Sequence, residues 1–188
     1  MIVAAPRLRA LALLAVLPLL AACAAPATRA RVEASAGPDA LEPAHFFLRH
    51  GHVDADPAAH ENHRQRVALA KALEAHGLTR AASPEQCDVI VSLRFGLVAE
   101  ETPHQGAALE HLFVLDLRAM DALAERAGRP ARQLWRVTAS AHAHVDQREA
   151  VFRALLAAAA PRMGSNGEWD LVVRRTPVTG EFDVSPAP

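Results

Sequence analysis

Apolar positions in this chain recur with period two in several stretches and with a helical period in two others. In Asp88 to Val98 (DVIVSLRFGLV), Val89, Val91, Leu93, Phe95 and Leu97 share one face. Asp88, Ser92, Arg94 and Gly96 lie opposite, with Ile90 and Val98. A strand with one packed and one mostly wet face belongs to an antiparallel sheet covered on one side. His111 to Arg118 brings Phe113, Leu115 and Leu117 together, and Gln133 to His144 turns Trp135, Val137 and Ala139 inward. His45 to Val53 predicts a first strand, with Phe46, Leu48 and His50 on one side. Asp56-Pro57 opens a helix that runs to His76, since Asp caps and Pro suits the first turn. Val67, Leu69, Ala70 and Leu73 form its buried side, while Arg64, Gln65 and Lys71 are expected to be wetter, and Gly77 ends it in a left-handed cap. A second helix starts at Asp146, whose spacing to Glu149 fits a capping box. Val151, Phe152, Leu155, Leu156 and Ala159 are its apolar side, and Pro161 stops it.

The segments between are less regular. Residues 119–131 read as a long connection with a short helix, closed by Gly128, Arg129 and Pro130. Trp169 to Val173 reads as a short edge strand or an ordered arm. Residues 24–40, rich in Ala, Pro, Ser and Gly, read as a flexible tether reaching roughly 25 Å root-mean-square. The resulting order is β-α-β-β-β-α. It predicts an α+β domain over residues 45–175, an antiparallel sheet of about four strands with two helices packed on one face, preceded by a tether over 23–44 and followed by a loose tail over 176–188.

The front of the chain carries Arg7 and Arg9, then the apolar run Leu11 to Leu20. Crossing a bilayer takes roughly 20 apolar residues, so residues 1–22 read as a secretory leader, not an anchor. No adjacent arginine pair stands there, which favours the general export route. Leu20-Ala21-Ala22-Cys23 resembles the lipobox of bacterial lipoproteins. That resemblance implies that Cys23 carries acyl chains, palmitate among them, and begins the mature chain. Ala24 stands where an aspartate marks retention in the inner membrane of enteric-type bacteria. The resemblance therefore implies a periplasm-facing protein of the outer membrane.

Composition narrows the class. The sequence has 20 Lys+Arg against 21 Asp+Glu, and the leader holds two of the arginines and no acid. A basic face of the kind that binds nucleic acid is not indicated. Aromatics are 4% with no tyrosine, so the core must be built mainly from Leu, Val and Ala. With Cys23 acylated, Cys87 has no partner for an internal disulfide and is expected to be a small buried apolar group.

Four segments resemble a family of bacterial lipoproteins labelled domain of unknown function 4136. They are Leu73 to Leu78 (LEAHGL), Cys87 to Ser92 (CDVIVS), Leu134-Trp135-Arg136, and Leu155 to Gly167 with its Pro, Gly and Asn-Gly. The chain departs from that pattern at Cys87, where a small residue is frequent, and at Ala157 to Ala160, where bulkier residues are usual. The resemblance covers residues 45–175 and implies no catalytic residue, no cofactor and no known ligand. The layout is also similar to that of small envelope lipoproteins that serve as assembly partners, which is analogy of fold.

Ten histidines raise a metal reading. His50 and His52 share a strand face, as do His142 and His144. If their strands were neighbours, four imidazoles would converge in a set that suits Zn, Cu or Ni. His60 and His63 lie three apart on the first helix. A hydrolase would need a nucleophile held by a base; Ser92, Ser140 and Asp116 are present, but no G-x-S-x-G elbow is. Glu100-Glu101 point apart on a strand, Gly164 to Gly167 lacks the lysine of a phosphate loop, and Arg174-Arg175 is a dibasic step facing either solvent or anionic lipid. The expected function is a non-enzymatic structural or binding role in the envelope, with the bilayer and an unidentified envelope protein or lipid as partners. The alternative is a periplasmic metal-binding protein.

Overall fold

The computed structural model describes residues 27–38, 40, 44–49, 59–98, 110–130 and 132–188. Its elements, in chain order, are β1 (Ala27–Ala36), β2 (His45–Leu48), α1 (Ala59–Ala75), β3 (Thr79–Arg80), β4 (Val89–Val98), β5 (His111–Asp121), α2 (Ala122–Arg126), β6 (Gln133–Ala143), α3 (Arg148–Ala159), β7 (Gly167–Arg175) and β8 (Phe182–Pro186). The class is α+β, as the hydrophobic pattern predicts. The sheet is larger than expected: eight strands in the order β3-β2-β4-β5-β6-β1-β7-β8. It is mixed, because β2 runs parallel to both β3 and β4 while the other pairs are antiparallel.

Two corrections account for half of the four extra strands. Residues 27–36 are not part of a tether. They form β1, seated between β6 and β7. Ala30 and Val32 are buried and Ala34 half-buried, while Arg29, Arg31, Glu33 and Ser35 face out. The period-two alternation of a half-covered strand is therefore present, written in small inward residues. Residues 176–188 are not loose either, since Phe182–Pro186 pairs along β7 as the edge strand β8. Trp169 to Val173 consequently lies inside the sheet and not at its edge.

Val89 and Val91, Phe113, Leu115 and Leu117, and Trp135, Val137 and Ala139 meet Leu69 and Leu73 of α1 and Val151, Phe152 and Leu155 of α3 in one core. Phe95 stacks on Phe113 and meets Phe152 edge-on, with centroids 5.7 and 5.2 Å away. Each fully buried Leu or Phe contributes about 1.5–3 kcal/mol by removal from water, so the run of inward residues along β4 to β6 defines which face is covered. On α1, Gln65 is buried and Val67 is 41% exposed, the reverse of the expectation for both. Residues 65, 69 and 73 follow one i+4 row, and that row faces the sheet. The capping box at Asp146 does not form: a 3₁₀ turn takes Val145–Gln147, and Gln147 precedes α3 without a side-chain cap.

Gly77 ends α1 as expected, with φ +86°. The Leu78 N–H donates to the Leu73 carbonyl at 3.2 Å, the longer bond of a Schellman closure. A Cβ at this position would meet nothing within 4 Å, so only the backbone conformation resists substitution. Gly77→Ala is expected to lose about 1 kcal/mol, read as a lower urea midpoint with an unchanged slope.

Candidate functional site

Because α1 and α3 cover one side of the sheet, outward positions of β4, β5, β6, β1 and β7 form a face that is helix-free except where α2 packs beside β4. The registers lay its residues across the strands in rows. One row is Arg94, Asp116, Thr138, Glu33 and Glu168; the next is Ser92, Arg118, Arg136 and Ser35. Asp116 joins the two rows on this face and is only 7% exposed. Arg118 Nε donates to its Oδ2 and Arg136 Nε to its Oδ1, each at 2.7 Å, and Thr138 Oγ1 donates to Oδ1 at 3.3 Å. Burial by itself drives a carboxyl pKa up. The hydrogen bonds and charges of Arg118 and Arg136 outweigh burial, and the net pKa lies below the ordinary carboxylate value. Asp116 is therefore held as a carboxylate whose lone pairs face arginines, which does not suit it to orient a catalytic base.

Beside this hub lies an open depression of about 440 Å³, lined by Glu33, Ser35, Arg136, Thr138, Gly167 and Glu168 among others. Arg31 ties its rim together, donating to Glu33 at 3.2 Å and to Glu168 at 2.9 Å. The chemistry offered there is polar and charged hydrogen bonding from a rigid sheet.

On the β4 side of the same face α2 packs against the sheet. Asp121 caps that helix, accepting from the N–H groups of Leu123 and Ala124. Arg126 Nη1 then donates to the carbonyls of Pro84, Glu85 and Cys87 at 3.1, 2.8 and 2.9 Å. Arg49, just past β2, pairs with Glu125. Under this strap Ala81, Cys87, Ile90 and Ala122 form a second small core. Cys87 is fully buried there, as expected of it, and burial pushes its thiol pKa up, so little reactive thiolate forms.

His142 lies on β6 opposite Leu112, and His144 follows the strand's end. His50 and His52 lie outside the described residues, beyond β2. Within the sheet β4 and β5 stand between β2 and β6, so those two strands are roughly 14 Å apart. Among the described residues no group of three or more His, Cys, Asp or Glu is placed to hold a metal. Ser92 and Ser140 sit on the helix-free face opposite Arg118 and Val114, mid-strand and without an elbow. Cys23 and Glu100-Glu101 lie outside the described residues. No described helix is long and apolar enough to cross a membrane, which says nothing of strands that would. The Asp116 cluster escaped sequence reading because its two arginines come from different strands.

The fold class is that of an α+β sheet with its helices mainly on one side, and a solved structure is similar to it. A PDZ domain protein from Parabacteroides distasonis is similar with a TM-score of 0.52 at 12% identity, over 84% of this chain and 41% of that one. This chain thus spans less than half of that protein's length, and at such identity the likeness is one of fold alone. Two structures of the PelC dodecamer from Paraburkholderia phytofirmans align over 73% of this chain and 99% of theirs at 15% identity, with a TM-score of 0.47. No family model matches the chain, and no curated protein matches it.

Proposed function

We propose that this protein is a lipoprotein of the outer membrane, facing the periplasm and held by acyl chains on Cys23, with a structural or binding role and no catalysis of its own. The single observation that carries this reading is Leu20-Ala21-Ala22-Cys23 at the end of a short apolar run. The lipoprotein family resemblance of residues 45–175 supports it. So does the helix-free face, whose acid Asp116 is engaged by arginines and leaves a hydrogen-bonding surface for another envelope component. The edge strand β8 offers a second route, by strand addition.

The test is metabolic labelling with a palmitate analogue in the bacterium. The wild-type chain is expected to take up label and fractionate with outer membranes. Cys23→Ser is expected to take up none and to accumulate with its leader attached. Label uptake by the serine variant, or a wild-type protein cleaved elsewhere and unlabelled, would falsify the reading.

A further inference from the structure

We infer that the end of the sheet at which β1 begins is a bilayer-contacting surface, so that the strands stand on the membrane instead of hanging from it on a leash. The inference rests on acylation of Cys23. If Cys23 is in the membrane, Ala27 is already in β1, with three residues between them. Four residue steps reach at most about 14 Å when fully extended. A chain starting at the headgroups therefore delivers the beginning of β1 to the membrane surface and leaves little freedom for the domain to turn away.

The registers show what shares that end. Ala27 pairs with Arg174, the last but one residue of β7, and Arg175 pairs with Phe182 at the start of β8. The turn between those two strands, residues 176–181, carries Val178, which is 93% exposed. Ala143 at the close of β6 pairs with His111 at the opening of β5, and Leu112 faces Val98 at the close of β4. Val145 follows β6 and is exposed, as are Leu97 and Val98. Six large apolar side chains are exposed among the described residues, and these four lie at this one end; the others, Val67 and Leu123, lie on α1 and α2.

Charge does not decide the matter. Arg174 and Arg175 are accompanied by Asp183, Glu181 and Asp146, so the end carries both signs. The apolar side chains are what distinguish it. Exposed apolar residues at an end that also carries arginine and carboxylate fit the boundary between headgroups and acyl chains. The opposite end, with α2, Gln133 and the 164–167 turn, then points away from the membrane.

The experiment uses the full acylated chain with one added cysteine, Val178→Cys or Val145→Cys at this end and Gln133→Cys at the other. Buried Cys87 does not compete for the label. Each is labelled with bimane and placed in phosphatidylethanolamine–phosphatidylglycerol vesicles containing a lipid spin-labelled near its headgroup. The dye at 178 or 145 is expected to be quenched at least about twofold more than at 133, given an interfacial depth of several ångströms. Equal quenching at both ends, with mass spectrometry showing acyl chains on Cys23, overturns the inference and leaves the lipoprotein reading intact. An unacylated Cys23 overturns both.

Discussion

A chain lacking residues 27–36 is expected to show no cooperative thermal transition. β1 holds the sheet together from within, pairing Arg31 to Ala36 with β6 on one side and Ala27 to Ala34 with β7 on the other. Its removal leaves two facing strand edges without partners and strips the cover from Val137, Ala139, Leu171 and Val173, all buried. The loss exceeds the net stability of about 5–15 kcal/mol that a domain possesses. Had these residues been a tether, the deletion would leave the melting temperature unchanged. Circular dichroism and calorimetry on the soluble domain, with and without the segment, separate the two. A graded version is Val32→Asp, which places a charge at a site of zero exposure. It is expected to cost 3 kcal/mol or more, roughly, unless the group takes up a proton.

The second large effect is expected at Asp116. Replacing it with alanine leaves Arg118 and Arg136 facing each other across β5 and β6 without their shared acceptor, since these two residues are direct register partners. Removing one member of a buried ion pair costs 3–5 kcal/mol. The arginines here are partly exposed, with side chains 35% and 43% accessible, and water screens them. We therefore expect about 2–3 kcal/mol from urea denaturation at neutral pH. The sign with pH follows from the lowered folded-state pKa. Asp116 contributes stability that is fully present above its unfolded value, near the ordinary 3.8, and is lost as pH falls through the lower folded value. Wild-type and Asp116→Ala stabilities should thus differ most above about pH 5 and converge in acid. A difference that persists unchanged to pH 2 would show that the carboxylate's charge is not what matters.

What the pattern of residues disclosed, and what it hid, follows from side-chain size and separation. β4, β5, β6 and α3 were legible because their inward positions are large: Phe95, Leu115, Trp135 and Phe152 mark a buried face plainly. β1 was hidden because its inward positions are Ala30, Val32 and Ala34. Alanine-rich segments with a nearby proline resemble linkers in composition, and the alternating Arg29, Arg31, Glu33 and Ser35 were the signal that outweighs it. β8 was hidden for a related reason, being short, half-exposed and bounded by prolines. The Asp116 cluster shows a different limit. Arg118 is two residues away, but Arg136 and Thr138 are 20 and 22 residues along the chain, and only the β5–β6 register sets them beside the acid. Pairing order is likewise something local sequence does not encode, and it sets β4 and β5 between β2 and β6.

The place of β1 also sets a timetable. Arg31 bonds to Glu168 across 137 positions of chain, so β1, the first of the described strands, is not seated on both sides until β7 is available. Contacts of such long range close slowly, on the scale of milliseconds to seconds, because the loop entropy must be overcome before any pairing rewards it. During synthesis β1 waits unpaired until β6 is made, and then with one flank open until β7 follows. The chain therefore stays pliable until its last strands emerge, and the open flank of β1 is where a premature neighbour, or a helper protein, would find an unfinished molecule to grasp.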